Sequence, residues 1–258
     1  MIRLIASDLD GTLLPTQGSA ISERLFTQIR ELQEKGILFC AASGRQYQSL
    51  RRLFAPVIDD IAYVCENGSI VYYKDKVVGQ TLIDYQDALQ LVAQINAEPD
   101  CEALVSGTNA CYIFDGNCTA LEEALQVNNN RYTIVKDARE LPKEIIKISI
   151  YCQKGAAPYA PIFAPVWEKH LNVAIAGKQW LDFTLAHKGI GLSQLTKACG
   201  IAPRDTMVFG DNFNDIGMFR FAGVSYVMEN ADPAVQETAQ LRCECVEDVL
   251  QQTFGLSV

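Results

Sequence analysis

The stretch Asp8-Leu9-Asp10-Gly11-Thr12 constrains this chain more than any other, and it directly follows a mostly apolar run over 2–6. The run predicts a buried strand, so the two aspartates would stand at a strand's end. Side chains two residues apart on an extended segment point to the same face. Asp8 and Asp10 would therefore crowd two carboxylates into a small space, where like charges repel unless a cation or a shared proton intervenes. This costly arrangement indicates a functional site.

The first and last parts of the chain share one pattern, in which short apolar strands alternate with amphipathic helices. Strands are predicted at 37–42, 62–65, 206–209 and 224–228, a hairpin within 69–83, and helices at about 22–35, 46–54, 192–199 and 246–254, with a further helix marked by Ile216 and Phe219. Strands separated by helices imply a parallel sheet with helices on both faces. The predicted fold class is therefore α/β, with a Rossmann-like parallel-sheet core.

The middle of the chain, from about 84 to 186, has a different pattern. Helices are predicted at about 85–97, 119–127 and 158–170, among short strands at 102–106, 111–114, 145–151, 172–176 and 179–184. Strands with few intervening helices favour an α+β arrangement with an antiparallel sheet. We therefore predict two domains: residues 1–83 with 187–258 as a Rossmann-like catalytic core, and residues 84–186 as an inserted α+β cap domain.

The composition argues against several classes of protein. The formal net charge is −9, and without a basic patch neither nucleic acid nor an anionic membrane is expected as a partner. The apolar segment before Asp8 is too short for a signal peptide, and no run of about 18 apolar residues predicts a membrane span. The nine cysteines contain no Cys-x-x-Cys pair, which favours reduced thiols and a cytoplasmic location. The oligomeric state cannot be predicted from the sequence.

Polar clusters follow four of the predicted strands, at 8–12, 43–45, 66–68 and 210–215, and Lys188 stands just before a predicted helix. In an open parallel sheet, ligands bind outside the carboxyl ends of the strands. We therefore expect these separate segments to converge on one place.

The residue types in these clusters suit phosphoryl transfer. Asp8, Asp10 and Asp211 offer hard oxygen ligands, which suit Mg²⁺ with several waters retained. Groups able to hold phosphate oxygens are also present, namely Ser43, Lys188 and the backbone amides of Gly11 and Gly44. One carboxylate can attack phosphorus and form an aspartyl-phosphate, while the second protonates the leaving oxygen and later activates water.

Four stretches together resemble the motifs of the haloacid dehalogenase superfamily: DLDGT at 8–12, ASGR at 42–45, Lys188 with Gly189, and GDNFND at 210–215. Their order and spacing, with a large insert between the second and third, are similar to its Cof-type sugar-phosphatase branch. The resemblance covers essentially the whole chain, although the insert matches by position and size alone. It implies an Mg²⁺-dependent phosphatase of small phosphorylated metabolites, with sugar phosphates as the expected class and the insert as a cap that selects the leaving group.

The resemblance also implies roles for individual residues. Asp8 is expected as the nucleophile and Asp10 as the general acid/base. Mg²⁺ is expected to be bound by Asp8, the backbone carbonyl of Asp10 and Asp211, with Asp215 supporting the metal shell. The residues expected to contact the phosphate are Ser43, Gly44, Lys188 and Asn214.

Several interpretations stay open at this point. Arg45 is a candidate for phosphate contact, although it could instead pair with a surface carboxylate. Asn67 could be a turn residue or face the substrate, and His187 could act as a base that the mechanism does not require. The same core also suits a phosphotransferase or mutase, or a non-catalytic phosphate-binding regulator. Phosphorylated cofactors such as flavin mononucleotide or pyridoxal phosphate stay open as substrates.

Overall fold

The structure is a computed structural model, and it describes residues 1–14, 20–115, 119–127 and 132–257. The chain folds as two compact units, one formed by Met1–Gln80 with His187–Val258 and the other by Thr81–Ala186. The units divide the chain at 80/81 and 186/187, whereas the domain limits predicted from the sequence are 83/84 and 186/187. No helix in the described ranges is both long and apolar enough to cross a membrane.

The strands, in chain order, are β1 (Leu4–Ser7), β2 (Leu38–Ala42), β3 (Ile61–Cys65), β4 (Ile70–Tyr73), β5 (Lys76–Gln80), β6 (Cys101–Gly107), β7 (Cys111–Phe114), β8 (Tyr132–Val135), β9 (Ile145–Cys152), β10 (Asn172–Ile175), β11 (Trp180–Thr184), β12 (Thr206–Gly210), β13 (Val224–Met228) and β14 (Leu241–Cys243). The α-helices are α1 (Glu23–Glu34), α2 (Tyr47–Leu53), α3 (Tyr85–Asn96), α4 (Thr119–Val127), α5 (Ala160–Trp167), α6 (Lys188–Cys199), α7 (Ile216–Phe221), α8 (Pro233–Gln236) and α9 (Val246–Phe254). The sequence did not predict β8, β14 or α8. Each has only three or four residues, too few for a periodic pattern to show.

Capping residues explain where several helices begin and end. The Ser22 hydroxyl accepts a hydrogen bond from the Leu25 amide and so caps α1, as the sequence predicts. Asp84 caps α3 by accepting from two backbone amides of its first turn. At the other end of a helix, Gly200 terminates α6 with a φ of 64°, a left-handed conformation that glycine adopts without a steric penalty.

The first unit is built on an eight-stranded sheet in the order β14-β13-β12-β1-β2-β3-β4-β5. Neighbouring strands from β14 to β3 are parallel, and β4 and β5 continue the sheet as an antiparallel hairpin. The parallel strands are joined through helices, as the alternating pattern predicts. The predicted α/β fold class is therefore confirmed.

Both faces of this sheet carry helices. On one face, Leu4, Cys40 and Val64 belong to a buried apolar cluster with residues of α6, α7 and α8. Side chains alternate between the faces of a strand, so Phe39 and Tyr63 point to the other side. There Phe39 and Tyr63 pack on the ring of Phe54, which follows α2. The sheet is consequently buried on both sides, which explains its nearly continuous apolar strands.

The second unit is an α+β domain with a six-stranded sheet in the order β10-β11-β9-β6-β7-β8. Its strand pairs are antiparallel except for the parallel pair β7–β8. Helices α3 and α5 contribute to one apolar core with the sheet, and α4 contributes to a second. The predicted helix over 158–170 is shorter in the structure, since α5 ends at Trp167.

Candidate active site

The polar clusters follow four neighbouring strands, β12, β1, β2 and β3. The register aligns the end of β1 with the ends of its neighbours, because Ser7 pairs with both Phe209 and Ala41. Parallel strands end at the same edge of a sheet, so the loops that begin at 8, 43, 66 and 211 lie side by side. The convergence expected from the sequence thus follows directly from the strand order.

The centre of this edge is a buried group of one ammonium and two carboxylates. Lys188 Nζ donates hydrogen bonds to Oδ1 of Asp8 and, at 2.7 Å, to Oδ1 of Asp215. The side chains of Lys188 and Asp215 are both 0% exposed. Burial lowers the pKa of Lys188, but Asp215 and Asp8 raise it more, so its pKa stands above the ordinary value. Lys188 is therefore held in the charged form by its two partners.

A third carboxylate, that of Asp211, joins this group. Oxygen atoms of Asp8, Asp211 and Asp215 all lie within 4.8 Å of one another. Asp211 Oδ1 also accepts a hydrogen bond from the Thr12 hydroxyl at 3.2 Å. Burial raises the pKa of Asp211, and the neighbouring charge of Asp215 raises it further. When all three carboxylates are ionised, Lys188 neutralises only one of them, so the group retains two negative charges.

This donor set fits a divalent metal ion. Carboxylate oxygens are hard ligands of the kind Mg²⁺ prefers, and its charge would balance the two that Lys188 leaves. The carboxylates are not equivalent, however. Asp215 Oδ2 accepts from the backbone amides of Asp211 and Asn212, and its Oδ1 accepts from Lys188. Asp215 is thus engaged on both oxygens in shaping the loop after β12, which leaves Asp8 and Asp211 as the better metal ligands.

Burial also acts on Asp8. Desolvation raises the pKa of its carboxyl to about 8, while Lys188 lowers it and Asp215 raises it. A metal ion must displace that proton to bind, because only the carboxylate is a ligand. The free energy needed to ionise the buried Asp8 carboxyl is therefore subtracted from the free energy of metal binding.

Asp10 corrects one expectation. Its side chain is 56% exposed and forms two hydrogen bonds with Arg45, Nε to Oδ2 at 2.9 Å and Nη2 to Oδ1 at 2.5 Å. The expected crowding of the Asp8 and Asp10 carboxylates was therefore wrong. The reason is that β1 ends at Ser7, and the chain then turns, with the Leu14 amide donating to the Leu9 carbonyl. Side chains in a turn do not follow the two-residue period of a strand.

Gly11 also serves differently from the phosphate contact predicted for its amide. The Gly11 amide donates to the Leu14 carbonyl at 2.9 Å, so in this structure it is not directed to a ligand. Instead, Gly11 lets the chain closely approach Asp211 in the loop after β12. A Cβ atom at this position would lie 2.2 Å from Asp211 Oδ2.

The loop after β2 is buttressed by the loop after β3. Ser43 is buried, and its hydroxyl accepts from the Arg45 amide at 3.2 Å. The Asn67 amide donates to the Ser43 carbonyl at 3.0 Å, and the Asn67 side chain lies against Gly44. Asn67 Oδ1 accepts from Asn214 Nδ2 at 3.1 Å. Asn67 thus connects the two loops that carry predicted phosphate contacts, a role beyond that of a turn residue.

The loop after β3 also contains strained backbone conformations. Asn67 and its neighbour Glu66 have φ values of 55° and 49°, the left-handed region that non-glycine residues seldom adopt. Such conformations persist only where surrounding contacts hold them, and they concentrate at functional sites.

The sequence did not predict that glycines allow the close packing around Lys188. A Cβ on Gly189 would lie 2.3 Å from the Gly217 carbonyl oxygen, and one on Gly68 would lie 2.2 Å from the His187 carbonyl oxygen. A Cβ on Gly191 would lie 2.7 Å from Val64 Cγ1. The backbone at the start of α6 consequently packs closely on the backbone of Gly68 and Gly217, and this packing buries Lys188. The signal in the sequence was the pair of glycines at 189 and 191, directly after Lys188.

His187 lies outside the carboxylate group as the residue preceding α6. Its ring packs on Gly217, where a Cβ would come within 2.3 Å of His187 Nδ1. Burial lowers its pKa. These contacts indicate a packing role at the helix start.

Comparison with known proteins places the chain among related sequences. The family model described as haloacid dehalogenase-like hydrolase matches residues 5–249. The chain is 32% identical over 268 residues to the 5-amino-6-(5-phospho-D-ribitylamino)uracil phosphatase YbjI of Escherichia coli K12, covering 98% of this chain and 96% of that protein. It is 24% identical over 246 residues to the Bacillus subtilis phosphatase YitU, which carries the same substrate name, covering 92% and 90%. A solved structure from Eubacterium rectale superposes with a TM-score of 0.88 at 30% identity, covering 98% of this chain and 99% of that one.

Proposed function

The chain belongs to the haloacid dehalogenase-like hydrolases and is an enzyme of their phosphatase type, and we propose that it hydrolyses small phosphorylated metabolites with Mg²⁺ through an aspartyl-phosphate. The observation that carries this proposal is the buried contact of Lys188 with Asp8, beside Asp211. A buried carboxylate held by an ammonium and adjacent to a cation site is suited to attack an anionic phosphoryl group.

In this proposal Asp8 is the nucleophile. One of its oxygens forms a bond to phosphorus as the bond from phosphorus to the leaving oxygen breaks. Asp10 gives a proton to the leaving oxygen, and it later takes one from the water that hydrolyses the aspartyl-phosphate. Its exposed position fits exchange of protons with an outgoing group and an incoming water. Arg45 orients the Asp10 carboxylate through their paired hydrogen bonds.

The metal would be held by Asp8, Asp211 and the backbone carbonyl of Asp10. When bound, Mg²⁺ supplies positive charge that offsets the phosphoryl oxygens and the clustered carboxylates. Asp215 serves by fixing the Asp211 loop and Lys188. The groups proposed to hold the phosphate are Ser43, the Gly44 amide, Lys188 and Asn214.

For the substrate, we propose 5-amino-6-(5-phospho-D-ribitylamino)uracil. The support is that relatives from two organisms carry this substrate in their names and align over at least nine-tenths of this chain. The proposal refines the sugar-phosphate expectation, because the phosphate of that compound is borne by a ribityl chain. In this proposal the unit Thr81–Ala186 selects the leaving group.

The proposed location is the cytoplasm. The support for this location is that the described cysteines are free thiols.

The test is a phosphate-release screen with and without Mg²⁺. The panel contains the proposed substrate, flavin mononucleotide, pyridoxal phosphate and a hexose phosphate. We expect Mg²⁺-dependent release with the highest kcat/KM for the proposed substrate. A higher value for another ester would reject the substrate but keep the phosphatase. Consumption of the ester without release of phosphate would point to the phosphotransferase alternative. Mg²⁺ binding without turnover on any ester would point to a regulator.

A further inference from the structure

Two cysteines of the second unit lie directly opposite each other. Cys101 is the first residue of β6, Cys152 is the last residue of β9, and the register of these antiparallel strands pairs them. Their sulfur atoms are 3.9 Å apart. Both side chains belong to the apolar core that the sheet shares with α3 and α5. The phosphatase site uses neither residue.

The backbone geometry at this pair is compatible with a disulfide. The Gln153 amide donates to the Asp100 carbonyl at 3.1 Å, so the ladder hydrogen bond flanks the pair and does not join it. In such non-hydrogen-bonded antiparallel pairs the Cα atoms are about 4.5 Å apart. Disulfides span Cα separations of about 4.4–6.8 Å. The bond can therefore form with side-chain rotation and small adjustments of the strands.

The two thiols are chemically distinct. Cys101 donates a hydrogen bond to the sulfur of Cys152. This hydrogen bond lowers the pKa of Cys152 and, with burial, raises that of Cys101. Thiolate is the nucleophilic form of cysteine, so Cys152 is the better attacking group. Cys101 is 7% exposed and Cys152 is 0% exposed, so exposure favours Cys101 and thiolate character favours Cys152 as the first site of oxidation.

Asp100, the residue before Cys101, is partly exposed. Asp100 accepts hydrogen bonds from Lys154 at 2.7 Å and from the Tyr159 hydroxyl at 3.2 Å. The Lys154 side chain is largely exposed. The start of β6 thus meets solvent at this ion pair, next to the thiol.

We propose that Cys101 and Cys152 form a reversible disulfide when the protein meets a hydroperoxide. Peroxide oxygen is transferred to one of the two sulfurs, giving a sulfenic acid and, from hydrogen peroxide, one water. The sulfur of the other cysteine then attacks the sulfenic sulfur, the S–S bond forms, and a second water leaves. Two thiols lose two electrons in total, and one peroxide is reduced to two waters. The bond joins β6 to β9, two central strands of the sheet, and a thiol reductant reverses it.

Cys40 and Cys65 provide an internal comparison. They lie on the neighbouring parallel strands β2 and β3, but Cys40 pairs with Ala62, three residues before Cys65. At about 3.3 Å per residue, this offset separates them by roughly 10 Å along the strands. No bond between them is expected, although both are buried.

The test treats the folded protein with a small excess of hydrogen peroxide, blocks free thiols and maps disulfide-linked peptides by mass spectrometry. We expect a linked peptide containing Cys101 and Cys152, and a loss of two thiols that dithiothreitol reverses. The matched variants are Cys101→Ser, which should lose the linkage, and Cys199→Ser, which should keep it. Equilibration of the unmutated protein in glutathione redox buffers gives a second readout, because the linked fraction should follow the buffer ratio.

Three outcomes would overturn the proposal. One is linkage only through other cysteines. Another is oxidation of Cys101 to sulfinic acid without linkage. The third is no thiol loss in the unmutated protein while added free cysteine is fully oxidised. Peptide mapping of the unmutated protein decides the matter even when Cys101→Ser does not fold. Because the readout is the linkage itself, its result is independent of the proposed phosphatase activity.

Discussion

The backbone of Gly11 packs directly on the carboxylate of Asp211, so that a Cβ atom added to Gly11 would lie 2.2 Å from Asp211 Oδ2. The two residues are far apart in the sequence, but they follow β1 and β12, which are neighbours in the sheet. Gly11 also has a φ of 98°, where other residues are strained. The absence of a side chain at Gly11 therefore allows the carboxylate of Asp211, a proposed metal ligand, to occupy its position.

We expect Gly11→Ala to weaken Mg²⁺ binding at least tenfold, because the added methyl group displaces the Asp211 carboxylate. Calorimetric titration with Mg²⁺ measures this change. The control is Gly36→Ala, since Gly36 has a φ of 74° but no atom within 4 Å of an added Cβ. Both variants should lose about 1 kcal/mol of stability from backbone strain. Equal Mg²⁺ affinity in the two variants would remove Gly11 from the metal site.

Asp8→Asn should abolish phosphate release, by more than about a thousandfold in kcat, because an amide is a poor nucleophile for phosphorus. The fold should persist, since the amide has nearly the shape of the carboxyl group. Phosphate release and circular dichroism measure the two effects. Asp59→Asn is the control at an exposed aspartate, and its activity should be unchanged. Turnover of Asp8→Asn at the unmutated rate would reject Asp8 as the nucleophile.

Lys188→Met should destabilise the metal-free protein by about 3–5 kcal/mol, because it removes the ammonium that Asp8 and Asp215 share in a buried site. Added Mg²⁺ should restore part of this loss by supplying positive charge. Urea denaturation with EDTA or with Mg²⁺ measures both effects. Lys197→Met changes an exposed lysine of the same helix and should alter stability by less than about 0.5 kcal/mol. Equal losses in the two variants would contradict the assignment.

The metal-free protein should lose stability as the pH rises from about 4 to about 8. Burial raises the pKa of Asp8 from 3.8 to about 8. Within this window the folded protein retains a proton that the unfolded chain has released, so the free energy of unfolding falls with increasing pH. Asp8→Asn has no such proton, so its stability relative to the unmutated protein should grow by a few kcal/mol, at about 1.4 kcal/mol per pKa unit.

Denaturation in EDTA at pH 5, 7 and 9 measures this effect. Asp59→Asn serves as the control here too, and it should differ from the unmutated protein by a constant amount across the series. Parallel pH curves for Asp8→Asn and the unmutated protein would show that Asp8 titrates in its ordinary range.

Arg45→Gln should change stability by less than about 1 kcal/mol, because its pair with Asp10 is exposed. Its effect on catalysis should depend on the leaving group. An alkyl phosphate needs protonation of the leaving oxygen by Asp10, whereas p-nitrophenyl phosphate releases a stable phenolate. We expect a larger fall in kcat for the alkyl ester. Equal falls for both esters would indicate phosphate binding by Arg45 instead of orientation of Asp10.

Local sequence patterns were sufficient for the architecture of the first unit. Apolar runs such as 37–42 predict buried strands, and the apolar stripes between the runs predict amphipathic helices. A chain in which such strands and helices alternate forms a parallel sheet. From that sheet, the convergence of Asp8, Ser43, Glu66 and Asp211 follows, because parallel strands end at one edge. The short elements β8, β14 and α8 carry too little periodicity to be recognised, and β8 and β14 are defined by their pairing with β7 and β13.

The residue types that meet at this edge of the sheet can be predicted from the amino-acid sequence. Their arrangement there depends on the folded protein: Asp8 faces Lys188 in the interior, Asp10 pairs with Arg45 at the surface, and Gly11 packs against Asp211. The packing of the start of α6 on Gly217 and the pairing of Cys101 with Cys152 likewise depend on the folded protein. The physical reason is that periodicity reports the burial of one segment. Close approach between segments depends on the shape and charge of partners that lie far away in the sequence.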